Sequence, residues 1–298
     1  MRMAARNVGM LGLGIMGSAM AANLVRAGFA VIGYDPVPAC RRRLARAGGR
    51  VARDASEVFG SAGIVITSLP SSRALLEICR AMPERRATTL VVETSTLPIP
   101  VKEKARLRLA QAGVTLLDCP LSGTGAQART GDLVVLGSGT VSGYKKAVPV
   151  LKGFSRSQYY LGRFGNGSKM KFAANLLVAI HNVSTAEAVI LARKSGLDPA
   201  MAVKVLGDGA GASRMLQVRG PLMVRRKYRP ATVTNETWRK DMKIIGAFVR
   251  ALGSPAPLFS ATKAIYSAAM AQGCAKQDTA AVCAVLERRA RQRKRGER

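Results

Sequence analysis

The chain has 298 residues, enough for two domains of ordinary size and a large core. With 48% hydrophobic and 21% charged residues it has the composition of a folded globular protein, which excludes a disordered chain. Its charge is one-sided, 47 Lys+Arg against 17 Asp+Glu or +30 net; this favours attraction of anions such as dinucleotides, small carboxylates and nucleic acid, but bears on steering and solubility rather than on fold.

The first twenty residues superficially resemble a secretory leader. Glycines at 9, 12, 14 and 17 interrupt them and no small-residue cleavage site follows, so they read as a strand and a turn. Short apolar runs then recur at 8–11, 30–34, 64–69, 89–93, 114–119 and 133–137. Amphipathic stretches at 17–27, 38–47, 72–81 and 101–112 lie between them. This alternation predicts an α/β class: a doubly wound, mainly parallel Rossmann sheet over residues 1–164. The rhythm stops near Gly165, and helical patterns follow at 168–194, 199–206, 235–252, 257–272 and 278–291. Residues 165–298 therefore read as an all-helical C-terminal domain, joined to the first by the long helix. Thr237 or Asn235 is expected to cap the helix at 235 and Asp278 the last one; the basic tail after Arg288 is expected to fray. No apolar run reaches the length of a bilayer span.

Gly12-Leu13-Gly14-Ile15-Met16-Gly17 fits the dinucleotide pattern GxGxxG in its proper context, after a strand and opening a helix. Gly12 permits the tight turn, Gly14 the approach of a pyrophosphate, and Gly17 close helix–strand packing, while the N–H groups of the first helical turn, at Ile15 and Met16, face the phosphates. Asp35 closes the second strand, in register for the ribose hydroxyls; its charge repels a 2′-phosphate, so NAD is expected over NADP. The five cysteines are scattered and form no CxxC pair, which fits a reducing cytoplasm. With a single histidine, His181, the usual zinc spacings are absent and no metal is expected. The same scarcity, and the lack of GxSxG and GxxxxGK[ST], exclude a serine–histidine–aspartate hydrolase and a P-loop NTPase.

Four further segments carry a family resemblance: GLGIMGSAMAANLVRAG (12–28), DCPLSGTGAQARTGDL (118–133), GNGSKMKFAAN (165–175) and the pair Lys240-Asp241, with Ser95-Thr96 in ETSTLPIP as a fifth point. Together they resemble the β-hydroxyacid dehydrogenases over nearly the whole chain. The resemblance implies hydride transfer between NAD(P) and a small 3-hydroxy acid or its semialdehyde. It assigns proton transfer to Lys171 with Asn175 beside it, substrate carboxylate binding to Ser122, Gly123 and Thr124, and cofactor contacts to Leu69, Pro70, Thr96 and Lys240. A homodimer or homotetramer is implied as well. Three positions depart from the family pattern: Thr124 stands for a glycine, Gly125-Ala126-Gln127 replaces a small segment, and Ala174 replaces the first asparagine of a pair. They leave the substrate open, including an imine or another carbonyl.

The residues suit that chemistry. Oxidation of an alcohol needs a group to take the hydroxyl proton and a nicotinamide over the carbon that loses hydride. Lys171 and Asn175 are four apart and share a helix face, continued by Val178 and Asn182. As a base Lys171 must be neutral, which partial burial and neighbouring positive charge from Lys169 or Lys240 favour. His181 lies about 280° round the helix from Lys171 and reads as a structural or interface histidine, not the catalytic base. Trp238 reads as core or interface. A competing reading is a relative without catalysis that binds nucleic acid through the +30 charge and the tail from Arg288; an amine at position 171 is not needed for that.

Overall fold

The computed structural model describes residues 7–84 and 86–296, with side chains to Ala290; the end of the basic tail lies outside them. The chain divides into two compact units, Met1–Lys171 and Phe172–Arg298.

In the first unit the elements run β1 (Asn7–Leu11), α1 (Ile15–Arg26), β2 (Ala30–Tyr34), α2 (Pro38–Arg46), β3 (Arg50–Val51), α3 (Ala55–Ser61), β4 (Ile64–Thr67), α4 (Ser72–Arg80), β5 (Leu90–Glu93), α5 (Ile99–Gln111) and β6 (Thr115–Asp118). There follow β7 (Leu121–Ser122), α6 (Gly125–Arg129), β8 (Val134–Gly137), α7 (Val141–Lys152) and β9 (Ser157–Tyr160). Six strands form a sheet in the order β3-β2-β1-β4-β5-β6, every pair parallel. The order reverses beside β1, the place where doubly wound sheets bind ligands.

Alternate residues of each strand feed opposite apolar layers, as the two-residue period of a strand requires. Val8, Met10, Ile66, Val92 and Leu117 pack with Met20 and Leu24 of α1 and with Ala147 and Leu151 of α7. Leu11, Val65, Val91 and Leu116 pack with Phe59 of α3, Leu75 of α4 and Leu109 of α5. Covering both faces is what makes the runs legible as parallel strands.

One expectation is corrected here. The run at 133–137 does not join the parallel sheet: β8 lies in a second, three-stranded sheet, antiparallel to β7 and parallel to β9. The chain runs straight on from β6 through Cys119-Pro120 in one antiparallel register with β8, Asp118 opposite Ser138 and Ser122 opposite Val134, and β7 is too short to stand out in sequence.

A single helix, α8 (Asn166–Lys194), carries the chain from one unit into the other. In the second unit come α9 (Pro199–Asp208), α10 (Arg214–Val224), α11 (Asn235–Ala251), α12 (Pro257–Ala271), a 3₁₀ turn (Thr279–Ala281) and α13 (Val282–Gly296). Thr234, one residue earlier than expected, caps α11 by accepting from Thr237 N, because the chain before it is still extended. Asp278 caps the 3₁₀ turn rather than a long helix. The last helix continues to Gly296 instead of fraying from Arg288. Arg288 bonds Gln272 and Arg289 donates to the Ala264 carbonyl, tying it to α12.

By length and hydropathy α8 passes as a possible membrane span, which the run-length reading of the sequence had excluded. In this fold it is the spine of the helical unit. Phe172 meets Phe248 edge-on at 5.1 Å. Asn182 donates to Tyr266 and Thr279 and accepts from Arg219, and Arg193 pairs with Glu287. Arg219 also pairs with Asp278 at 3.1 Å, both almost fully buried.

Candidate active site

The glycine loop has the shape its spacing predicts. Gly12 has φ +89°, and a Cβ there would stand 2.2 Å from the Ser68 carbonyl oxygen. A Cβ on Gly17 would stand 1.9 Å from the Gly12 oxygen. A Cβ on Gly14 would meet nothing within 4 Å, so the chain leaves open space at that position. Gly14 caps α1 without a side chain, so no cap occupies the first-turn N–H groups of Ile15 and Met16. The loop thus has the clearance and the donors that a pyrophosphate needs.

Asp35 ties this loop to β2. Its Oδ2 accepts from Leu13 N at 2.7 Å and its Oδ1 from Val37 N at 2.8 Å. A carboxylate has about four acceptor positions, so the two bonds leave capacity for ribose hydroxyls. Arg41 is a residue the sequence reading passed over. It donates to the Asp35 carbonyl at 2.7 Å, and its guanidinium lies 5.8 Å from the centre of the Tyr34 ring. A cation beside Asp35 weakens the charge case against a 2′-phosphate.

Of the other residues implied for the cofactor, Leu69 donates its N–H to Ser95 Oγ at 2.8 Å; Pro70 is exposed and Thr96 half-buried. In the 122–124 loop, Gly123 has φ +141° and is packed against Leu133. Thr124 caps α6: its N–H donates to Gln127 Oε1 at 3.0 Å and its hydroxyl accepts from Gln127 N. Gln127 is fixed in turn by Asp132 at 3.0 Å. Thr124 therefore shapes the loop, with Ser122 and Gly123 half-buried beside it.

On α8, Lys171 is 9% and Asn175 4% exposed, one turn apart. In the helical unit Asn175 Nδ2 donates to Asp241 Oδ2 at 3.1 Å, and Lys240 Nζ lies 3.5 Å from the other oxygen of Asp241. Asp241 thus holds the asparagine and the lysine that the sequence reading named separately.

A second group of charges escaped the sequence reading altogether. Glu93 and Asp118 end the adjacent parallel strands β5 and β6 in direct register. Lys102, from α5, lies between them, 2.6 Å from Glu93 Oε2 and 2.7 Å from Asp118 Oδ1, and all three side chains are wholly buried. Burial works against the lysine's charge, but Asp118 and Glu93 outweigh it and hold the ammonium above its ordinary value. The available signal was the pair of acids at the ends of neighbouring strands, which cannot both be buried in ionised form without a cation.

Residues 7–162 match the family described as the NAD binding domain of 6-phosphogluconate dehydrogenase, and residues 165–286 the NAD-binding region of NADP-dependent 3-hydroxyisobutyrate dehydrogenase. L-threonate dehydrogenase of Cupriavidus necator is 31% identical over 286 residues, covering 94% of this chain and 96% of its own. The chain belongs to the β-hydroxyacid dehydrogenase family. Solved members superpose closely. The 3-hydroxyisobutyrate dehydrogenase of Salmonella typhimurium has a TM-score of 0.84 at 26% identity, covering 94% of this chain and 99% of its own. The enzyme of that name from Mycobacterium tuberculosis, solved with L-serine, has 0.83 at 28%, covering 95% and 99%. This β-hydroxyacid dehydrogenase is an NAD(P)-dependent oxidoreductase of CH–OH groups, transferring hydride between dinucleotide and substrate. Its anchors in sequence are the glycine loop, the 118–133 segment and the 165–175 segment.

Proposed function

We propose that the enzyme interconverts a small 3-hydroxy acid and its semialdehyde, with NAD as its dinucleotide and Lys171 moving the proton. The observation that carries this is an amine and an amide, Lys171 and Asn175, both buried and one turn apart on α8. Bound at the glycine loop, the dinucleotide supplies the hydride acceptor for oxidation and the donor for reduction. In oxidation the neutral Lys171 Nζ takes the hydroxyl proton as the carbon loses hydride; in reduction the ammonium returns a proton to the carbonyl oxygen. Asn175, oriented by Asp241, offers its amide to the reacting oxygen. Ser122 and Gly123 hold the carboxylate, with Thr124 shaping their loop. Ile15, Met16, Leu69, Pro70 and Thr96 line the dinucleotide, and Lys240 keeps the cofactor role that the family motif implies for it.

The relatives are named for L-threonate, 3-hydroxyisobutyrate and L-serine, all short hydroxy acids, and this supports the substrate class. The +30 charge suits steering of such anions. Purified protein with NAD⁺ and a panel of short hydroxy acids, alongside Lys171→Ala, tests the assignment. Loss of turnover with retained dinucleotide affinity is expected; unchanged turnover removes Lys171 from the role.

A second reading, NADP, is favoured by Arg41 beside Asp35 and by the NADP-dependence in the family description. The ratio of kcat/KM for the two dinucleotides, in wild type and Arg41→Ala, decides between them. We further infer a homo-oligomer in a reducing cytoplasm. In support, α9 buries none of its residues within its unit, and Leu191, Leu197, Met201 and Val205 are more than half exposed. The five cysteines are all free thiols. Light scattering after gel filtration measures the assembly.

A further inference from the structure

We infer that Lys102, clamped between Glu93 and Asp118, is a positioning residue that ties the first turn of α8 to the loop after β5; this rests on the proton-transfer reading of Lys171. The connections run outward from the buried ammonium in two directions. Through Glu93, whose Oε1 accepts from Ser95 N at 2.9 Å, it reaches Ser95, and Ser95 Oγ accepts from Leu69 N at 2.8 Å. Those are the loops following β5 and β4, and β4 pairs with the glycine loop's strand β1. Through Asp118 it reaches α8: Oδ2 accepts from Ser168 N at 2.8 Å and Oδ1 from Ser168 Oγ at 2.8 Å. Ser138 completes the anchor, its hydroxyl accepting from Gly167 N at 2.9 Å and donating to the Asp118 carbonyl at 3.1 Å. Two first-turn N–H donors of α8 are thereby satisfied by the cluster.

The helix start is also seated without slack. A Cβ on Gly167 would stand 2.3 Å from the Leu136 oxygen and 2.6 Å from the Asp118 oxygen, so the glycine lets α8 press directly onto two strand ends. Lys171 follows Ser168 by three residues, on the same side of the helix.

Stability alone does not account for such a cluster, because well-packed apolar side chains serve a buried site as well as or better than an ion triad. The ionic version does what an apolar one cannot. It gives Ser95 N and Ser168 N directional acceptors, and one ammonium fixes the distance between those acceptors. Proton transfer is sensitive to that distance, since misplacing a reacting group by about 1 Å costs on the order of a hundredfold in rate.

The test compares Lys102→Met, Ser168→Ala and Lys171→Ala with wild type, using NAD(H) and 3-hydroxyisobutyrate. Ser168→Ala removes only one hydroxyl from the anchor and is the variant of choice if Lys102→Met does not fold. For both, kcat is expected to fall about tenfold or more, with its pH profile displaced. In Ser168→Ala the dinucleotide Kd stays within about twofold, because the Glu93 arm is intact. Amide exchange should quicken at 166–171 in both and at 94–96 in Lys102→Met alone. Folded variants with wild-type kcat, pH profile and exchange, differing only in melting temperature, overturn the inference. If Lys171→Ala keeps its activity, the proton-transfer reading falls instead, and exchange at Ser95 and Ser168 alone decides whether the cluster ties the two segments.

Discussion

Gly14 and Gly17 lie three residues apart in one loop, yet alanine should act on them in opposite ways. At Gly17 the new methyl would stand 1.9 Å from the Gly12 carbonyl oxygen, a backbone atom that cannot swing aside. The helix must move off the strand by more than 1 Å, roughly, for ordinary contact to be restored, and overpacking of this kind costs about 2–3 kcal/mol. For a protein of this size that lowers the melting temperature by about 5–10 °C. At Gly14 the backbone is extended, with φ −64° and ψ −161°, outside the positive-φ region that favours glycine, and the methyl meets nothing within 4 Å. Alanine is a poorer N-cap by about 0.5 kcal/mol, but it restricts the unfolded chain by about the same amount. The melting temperature of the apo protein should therefore stay within about 2 °C. The open space is nevertheless where a pyrophosphate must approach, so Gly14→Ala should weaken dinucleotide binding at least about tenfold, or about 1.4 kcal/mol. Thermal unfolding without cofactor and titration by NADH fluorescence measure the two quantities. A Gly14→Ala protein that binds NADH as tightly as wild type would refute the placement of the phosphates at this loop.

Asp278→Ala should destabilise the helical unit by about 3–5 kcal/mol in urea unfolding, because it leaves Arg219 buried without its partner and strips the acceptor from Thr232 and Ala280. Burial works against the Asp278 charge, but Arg219 and the hydrogen bonds from Ala280 and Thr232 prevail and lower its pKa. The resulting stabilisation is present above about pH 4, the unfolded value, and is lost as pH falls through the folded one. Lys102 has the opposite sign. Its pKa is raised, so its contribution is complete below about pH 10.4 and is lost as pH rises past the folded value; Lys102→Met should flatten the alkaline limb of the stability curve. Burial pushes the Cys79 thiol up to about 12 and raises those of Cys119 and Cys283, so a thiol reagent should label these residues only after denaturation.

The parallel strands were legible in sequence because both their faces are covered, so they appear as unbroken apolar runs such as residues 64–66 and 90–92. Elements without that pattern were not. The strand β3 is only Arg50–Val51 at the sheet edge, and β9 is Ser-Gln-Tyr-Tyr. The helices α7 and α10 contain Pro149 and Pro221, which read as breaks. At the site, motif spacing found the glycine loop and the segment around Lys171. It could not show that Asp35 is anchored by Leu13 and Val37 or that Thr124 is engaged by Gln127, because those bonds depend on the closed loop conformation. Lys102 was hidden among the charges of α5, which reads as a solvated helix until the ends of β5 and β6 are seen side by side.

That alignment has a consequence for assembly. In register, Glu93 and Asp118 close on one cation carried by the crossover helix between their own strands. A slip of one residue would turn Asp118 to the other face of the sheet and strand its partner's charge in an apolar layer. Strand pairing in this crossover is thus proofread by charge: only the native alignment lets the three ions leave water together.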